Sequence, residues 1–174
     1  MKRSYFLSAL WGFAITSLLG TLLHFLYDFS KESVFAAPFS GVNESTWEHM
    51  KLFYFPFLVY LIAQRFFFKD TKSFYCIKLL SLLSGLILIP VLFYTLNGAF
   101  GKTPDYINIS IFFVSSAAAF LLEYHLFKKG ALPCPFPSLA LGLIILIGVL
   151  FVIFTFYPPH IPLFLDPIEG TYGI

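Results

Sequence analysis

Five long segments made almost entirely of apolar residues dominate the chain. They cover residues 5–27, 46–68, 73–96, 106–127 and 138–157. Each is long enough for an α-helix to cross the hydrocarbon core of a bilayer, which takes about 20 residues. Short segments that carry charged residues and prolines separate them. The pattern predicts an all-α integral membrane protein, a bundle of five transmembrane helices in a single domain over residues 1–174.

The composition excludes an ordinary water-soluble domain. Of the 174 residues, 59% are hydrophobic and only 11% are charged, whereas a soluble domain is about 25% charged. So few charges cannot cover a surface that faces water. The net charge of +2 is too small to indicate binding to nucleic acid, so membrane lipids are the expected partners.

The first apolar segment follows Lys2 and Arg3 and therefore begins like a signal peptide. Its apolar run continues to Tyr27, well beyond the roughly 7–15 residues of a signal-peptide core. The nearest small-residue cleavage pattern lies past the end of this run, at residues 34–36. We therefore expect a retained transmembrane helix.

The Lys and Arg residues predict how the bundle lies in the membrane, because cytoplasmic loops are enriched in both. With the N-terminus in the cytoplasm, eight of them fall on the cytoplasmic side: Lys2, Arg3, Arg65, Lys69, Lys72, Lys78, Lys128 and Lys129. Three fall on the opposite side: Lys31, Lys51 and Lys102. We predict an N-in, C-out protein of the cytoplasmic membrane, with the tail at residues 158–174 outside.

The same orientation collects most acidic and histidine side chains on the outer side. They belong to the end of the first span, the beginning of the second, the third loop and the tail: His24, Asp28, Glu32, Glu44, Glu48, His49, Asp105, His160, Asp166 and Glu169. Ionisable groups near or within spans are costly and usually face a cavity or a partner. We therefore predict a functional site on this side.

The end of the first span contributes a candidate pair. His24 and Asp28 are four residues apart, so they share one helix face. Such a pair can bind a metal ion, or the carboxylate can orient the imidazole of a metal ligand. It can equally be an ordinary hydrogen-bonded pair near a helix end.

The string NESTWEH, which ends at His49, opens the second span. Ser45 and Glu48 fit a capping box, in which Ser45 caps the helix and Glu48 accepts a hydrogen bond from the Ser45 amide. Lys51 is placed to pair with Glu48, and Trp47 suits an anchor at the membrane interface. Since capping leaves His49 unexplained, two interpretations stay open here, a capped helix start and a functional pocket.

The tail combines prolines with large apolar residues. Proline disfavours a helix there, and the apolar side chains favour packing over exposure to water. We predict that the tail folds back over the outer face of the bundle and carries His160 and Asp166 with it.

Two pairs of residues receive a structural interpretation. Glu123 and His125, near the inner end of the fourth span, are expected to snorkel to the interface or to pack. Cys76 and Cys134 fit no metal or redox spacing, so we expect two free thiols.

The segments LHFLYDFS, NESTWEH and PPHIPLFLDPIEGTYG together resemble the pattern of a family of small bacterial multi-pass membrane proteins of unknown function. The resemblance covers nearly the whole chain, and the Asn-Glu-Ser-x-Trp-Glu-His motif carries it most specifically. It implies a bacterial membrane location and no particular reaction. A looser similarity, to the seven-span zinc hydrolases of the ceramidase and adiponectin-receptor type, is limited by the five spans and by the lack of an HxxxH pair.

Three functions are compatible with the outer polar residues. The first is a metal-dependent hydrolase acting on a lipid or another amphiphile, with Glu48 or Glu44 as general base. Its candidate ligands for a divalent metal, zinc first, are His24, Asp28, His49, His160 and Asp166. The second is a cavity that binds or transports a cation or a small amphiphilic ligand. The third is a membrane scaffold, in which the polar residues only hold helices together.

Overall fold

The computed structural model describes residues 2–68, 73–101, 103–130 and 132–174, with side chains from Ser4 onward. Within them it contains five α-helices: α1 (Lys2–Phe29), α2 (Thr46–Phe67), α3 (Phe74–Phe100), α4 (Asp105–Lys129) and α5 (Pro137–Phe156). Each is long and apolar enough to cross a membrane. The predicted all-helical architecture, with five helices long and apolar enough to span a membrane, is therefore confirmed. Of the residues used to predict the orientation, Lys69, Lys72 and Lys102 lie outside the described parts.

Successive helices run in opposite directions, so alternate helix termini meet at each end of the bundle. At one end the last turns of α1, α3 and α5 meet the first turns of α2 and α4, and the tail packs there. We call this the tail end. At the other end a disulfide joins α3 to the α4–α5 connection, and we call it the disulfide end.

The start of α2 is capped by Ser45, as the sequence predicts. The Ser45 hydroxyl accepts a hydrogen bond from the Glu48 amide at 3.4 Å. The rest of the predicted capping box is wrong, because the Ser45 amide donates to the Asn43 side chain at 3.0 Å. The Glu48 carboxylate instead pairs with Lys51, and a buried ammonium left without such a partner costs more than a lost cap.

A glycine brings α1 close to its neighbours in the middle of the bundle. A β-carbon on Gly20 would lie 2.6 Å from the ring of Phe112 on α4 and 2.8 Å from the carbonyl oxygen of Leu52 on α2. Only glycine fits this approach without displacing one of the two. The contact closes the inner boundary of the cavity described below.

Cys76 and Cys134 form a disulfide, with their Cα atoms 5.8 Å apart. The expectation of two separate free thiols is therefore wrong for this structure, because the fold brings the two sulfur atoms within bonding distance. The cysteines are 58 residues apart in sequence, but the antiparallel arrangement of α3, α4 and α5 brings both to the disulfide end. No local spacing in the sequence carries that information.

A buried ion pair links α3 to α4 near the disulfide end. The Lys78 ammonium lies 2.6 Å from the Glu123 carboxylate, and both side chains are fully buried. The other oxygen of Glu123 accepts a hydrogen bond from Gln64 of α2 at 2.7 Å. Of the two alternatives given for Glu123, the structure shows packing and not snorkelling, since its side chain is buried in the bundle while His125 is exposed.

Candidate functional site

A cavity of about 510 Å³ lies at the tail end, between α1, α2, α3 and α4. Its walls are largely apolar, with Leu52, Ile89, Phe93, Ile111 and Phe112 among them. Polar side chains gather along it from all four helices and the segment before α2: His24, Glu44, His49, Asn97, Asp105 and Asn108. The tail adds Pro167 and Ile168 to the lining. The cavity thus combines the two kinds of surface that an amphiphilic ligand needs.

Three of the sequence-predicted residues meet at this cavity. The Nε2 atom of His24 lies 3.7 Å from Oε1 of Glu44, and the Nε2 atom of His49 lies 3.5 Å from Oε2 of the same carboxylate. The two imidazole rings are 5.7 Å apart between centroids. We call these three side chains the His–Glu group. They converge because the end of α1 and the start of α2 are antiparallel neighbours.

The hydrogen bonding of His49 fixes where its ring proton lies. Its Nδ1 atom is 2.9 Å from the carbonyl oxygen of Ser45, and a carbonyl only accepts, so Nδ1 carries the proton. When the ring is neutral, Nε2 then holds a lone pair that faces the Glu44 carboxylate, which is also an acceptor. Two facing acceptors favour a positive charge between them, whether a second imidazole proton, a metal ion or an ammonium group.

Asp166 fastens the tail to the segment that carries Glu44. Its buried carboxylate accepts hydrogen bonds from the backbone amides of Glu44 at 3.0 Å, Ile168 at 2.6 Å and Glu169 at 3.1 Å. Burial raises the pKa of Asp166, but these three donors and the nearby His49 imidazole lower it more, so the net pKa lies below its usual value. The carboxylate is therefore ionised at neutral pH, and its role is to position Glu44 and the tail.

Glu48, a predicted general base, is not among the residues that line the cavity. Its carboxylate lies 2.5 Å from the Lys51 ammonium and also accepts from the Val42 amide at 3.1 Å. Lys51 donates further to the carbonyl of Ala37 at 2.8 Å and to the hydroxyl of Thr155 at 2.9 Å. All three N–H groups of Lys51 are thus used, and the pair ties α2 to α5 and to the α1–α2 connection.

The remaining predicted ligands lie elsewhere. Asp28 is exposed one turn beyond His24, outside the cavity lining. His160 stacks on Tyr172 of the tail, with ring centroids 4.6 Å apart. Over the parts of the chain that the structure describes, no group of three or more His, Cys, Asp and Glu side chains is placed to hold a metal ion. Of the five predicted ligands, His24 and His49 are the two that meet at the cavity.

Trp47, the predicted interfacial anchor, packs among aromatic residues of α5 and the tail. Its ring packs against Phe151 and Phe154 of α5 and Phe164 of the tail, at centroid distances of 4.5, 5.6 and 4.6 Å. This aromatic cluster holds the tail beside the start of α2. The sequence contains the aromatic residues but no pattern that pairs them.

Asn97 and Asn108 are lining residues that the sequence analysis did not single out. They are joined through Thr103, whose hydroxyl lies 3.0 Å from Oδ1 of Asn97 and 2.9 Å from Oδ1 of Asn108. This contact shapes the α3–α4 connection at the rim of the cavity. A single amide near a helix end is common, so no sequence signal marks either residue.

Residues 4–174 match the model of a family of unknown function, DUF6512. The chain belongs to this family. No curated protein and no solved structure matches it. The match spans all five helices and the tail, and therefore includes the three segments on which the resemblance rests. The bacterial origin and the specific motif stay predictions.

Proposed function

We propose that this protein binds an amphiphilic small molecule, such as a single-chain lipid, in the cavity at the tail end. The observation that carries the proposal is the lining, which places the His–Glu group beside aromatic walls that include Phe93 and Phe112. The volume of about 510 Å³ lies within the usual range for small-molecule sites, about 300–1,000 Å³. The headgroup contacts the His–Glu group, and the hydrocarbon chain lies along the apolar walls.

The wall between α1 and α4 supports entry of the ligand from the lipid. Phe25 of α1 and Ile109 and Phe113 of α4 line the cavity, yet all three are exposed on the bundle surface. Deeper in the bundle on α1, Gly20 lies against Phe112 of α4 and brings the two helices together there. A lipid in the surrounding leaflet therefore reaches the cavity sideways, without crossing water.

We further propose the N-in, C-out orientation in the cytoplasmic membrane of a bacterium. The support is the excess of Lys and Arg on the side that includes the disulfide end. The cavity then opens toward the outer leaflet, and the tail lies outside. Because cytoplasmic thiols are kept reduced, this orientation implies that Cys76 and Cys134 are thiols in the growing cell and form their disulfide on oxidation.

Replacing Thr21 by Trp should abolish ligand binding. Thr21 lines the cavity, is exposed, and its hydroxyl donates to the Ser17 carbonyl of its own helix at 2.9 Å. An indole therefore fills cavity space without breaking a contact between helices. We expect monolauroylglycerol to remain bound to the wild type in native mass spectrometry. We expect Thr21→Trp to retain at least about tenfold less, a loss of about 1.4 kcal/mol.

Leu18→Trp is the matched control for this experiment. Leu18 is on the same helix, is 62% exposed and does not line the cavity. It should retain the probe as the wild type does. Equal retention by both variants, or none by the wild type, would contradict binding in the cavity.

A metal-dependent hydrolase that acts on the same amphiphile is the second candidate function. It is favoured by the two Nε2 atoms that face one carboxylate in the His–Glu group. Two imidazoles and a carboxylate are donors that zinc and iron accept, and a divalent ion would supply an activated water there. In this reading His24, His49 and Glu44 replace the five predicted ligands, and Glu48 keeps its structural pairing with Lys51.

Elemental analysis of the purified protein tests this candidate. The hydrolase requires about one metal ion per chain. His49→Gln should lose this metal. The control His125→Gln should keep it, since His125 is exposed at the disulfide end. Absence of stoichiometric metal from folded protein prepared without chelators would remove the candidate. The proposal of an amphiphile-binding site would then remain, without a metal-dependent reaction.

A further inference from the structure

We propose that the cavity selects an amphiphile whose headgroup carries a positive charge, a primary ammonium on a single hydrocarbon chain. This inference rests on the proposed binding of an amphiphile and specifies its headgroup. Three observations support it: the unused acceptors of the His–Glu group, the charges along the lining, and the aromatic side chains beside them.

Among the residues that the structure describes, none donates a hydrogen bond to the Glu44 carboxylate, whose side chain is 43% exposed. Its closest polar neighbours are the imidazoles of His24 and His49, at 3.7 and 3.5 Å, beyond the roughly 2.7–3.2 Å of an N–H···O hydrogen bond. Since the proton of His49 is on Nδ1, an ammonium can donate to Glu44 and to Nε2 of His49 at once.

The charges along the lining have one sign. Glu44 and Asp105 contribute carboxylates, and no Lys or Arg is among the described lining residues. Lys51 follows His49 by only two positions in the sequence, but its ammonium is buried against Glu48 and points to α5. An anionic headgroup would meet two carboxylates with no cation to offset them, whereas an ammonium is attracted to both.

Aromatic rings flank the polar end of the cavity. Phe25 packs edge-on against His24, with ring centroids 5.0 Å apart, and Phe93 and Phe112 line the walls. The faces of such rings attract cations and accept hydrocarbon equally well. The junction between a charged headgroup and its hydrocarbon chain therefore fits against these rings, next to the His–Glu group.

The test compares three probes with the same hydrocarbon chain and different headgroup charges: dodecylamine, monolauroylglycerol and laurate. Native mass spectrometry at neutral pH should show dodecylamine retained at least about tenfold more than laurate by the wild type. Glu44→Gln keeps the side-chain shape and removes the charge. It should reduce dodecylamine retention about tenfold while changing monolauroylglycerol by less than about twofold.

Glu32→Gln is the matched control, because Glu32 is an exposed carboxylate at the same end that does not line the cavity. Its retention of all three probes should equal that of the wild type. Glu44→Gln should have the same melting temperature as the wild type, since no hydrogen bond within the described chain depends on its carboxylate. A lower melting temperature shared by both variants would indicate a general charge effect and overturn the assignment to Glu44.

The outcomes separate the two levels of the proposal. Equal retention of dodecylamine and laurate, or no effect of Glu44→Gln, would overturn the headgroup assignment and leave a cavity for amphiphiles in general. Failure of the wild type to retain any of the three probes would overturn the proposed function itself. A stoichiometric metal ion lost in His49→Gln would overturn the ammonium assignment, because the metal would occupy its place.

Discussion

Replacing Lys78 by Met should lower the free energy of unfolding by about 3–5 kcal/mol, because the substitution leaves the Glu123 carboxylate buried without its counter-charge. The two side chains are 0% and 1% exposed, and their charged atoms are 2.6 Å apart. The Lys78 ammonium also lies 4.4 Å from the ring centroid of Phe57, a contact that Met cannot replace electrostatically. Unfolding in mixed micelles with increasing dodecyl sulfate measures the change.

A double variant distinguishes the cost of an orphaned charge from the loss of a side chain. Lys78→Met with Glu123→Gln leaves no charge at positions 78 and 123, and Gln at 123 still accepts the hydrogen bond from Gln64. It should recover most of the lost stability. Lys129→Met, an exposed lysine at the same end, should change it by less than about 0.5 kcal/mol. If Lys78→Met were no worse than Lys129→Met, the ion pair would contribute nothing to the fold.

Thiol labelling should report the orientation as an all-or-none result. In intact cells, Cys76 and Cys134 should resist a membrane-impermeant maleimide, because the proposed orientation places the disulfide end in the cytoplasm. After permeabilisation both should react without added reductant, since cytoplasmic thiols are kept reduced. Mass spectrometry of the labelled protein counts the modified cysteines.

A tail-end cysteine supplies the control for labelling. Glu169→Cys, in a chain that carries Cys76→Ser and Cys134→Ser, places one thiol at an exposed tail position. It should react in intact cells. If Cys76 and Cys134 reacted only after reduction, the disulfide end would lie in an oxidising compartment. The orientation inferred from the Lys and Arg residues would then be reversed.

The helices were predictable because a membrane restricts what the chain can do. Every backbone amide in hydrocarbon needs a partner within its own helix, so apolar run length alone indicates five spans and their approximate bounds. The cap at Ser45 was also predictable, because its hydroxyl acts on an amide three residues away. Both signals are local in sequence.

The contacts between helices were not predictable in the same way. Lys51 lies one turn from Glu48 on α2, and the spacing predicted that pair correctly. The bonds of Lys51 to a carbonyl and a hydroxyl of other segments were not predicted. The pairing of Lys78 with Glu123 joins residues 45 positions apart. No spacing rule gives these longer-range contacts, because their geometry comes from packing between antiparallel helices.

The candidate site was predictable in part. His24, His49 and Glu44 were candidates because the predicted topology places the end of the first span and the start of the second on the same side of the membrane. His160 was a candidate on chemistry alone, and the structure stacks it on Tyr172. The cavity walls from α3 and α4 carry no polar pattern, so their contribution required the fold.

An experimental density map of the protein in lipid nanodiscs tests the amphiphile cavity most directly. We expect an elongated density between α1 and α4 at the tail end, with its polar end within hydrogen-bonding distance of Glu44 and its remainder along Phe93 and Phe112. The same map of Thr21→Trp should show the indole in its place. Closure of α1 against α4 along their whole length, with no cavity between them, would contradict the proposed function.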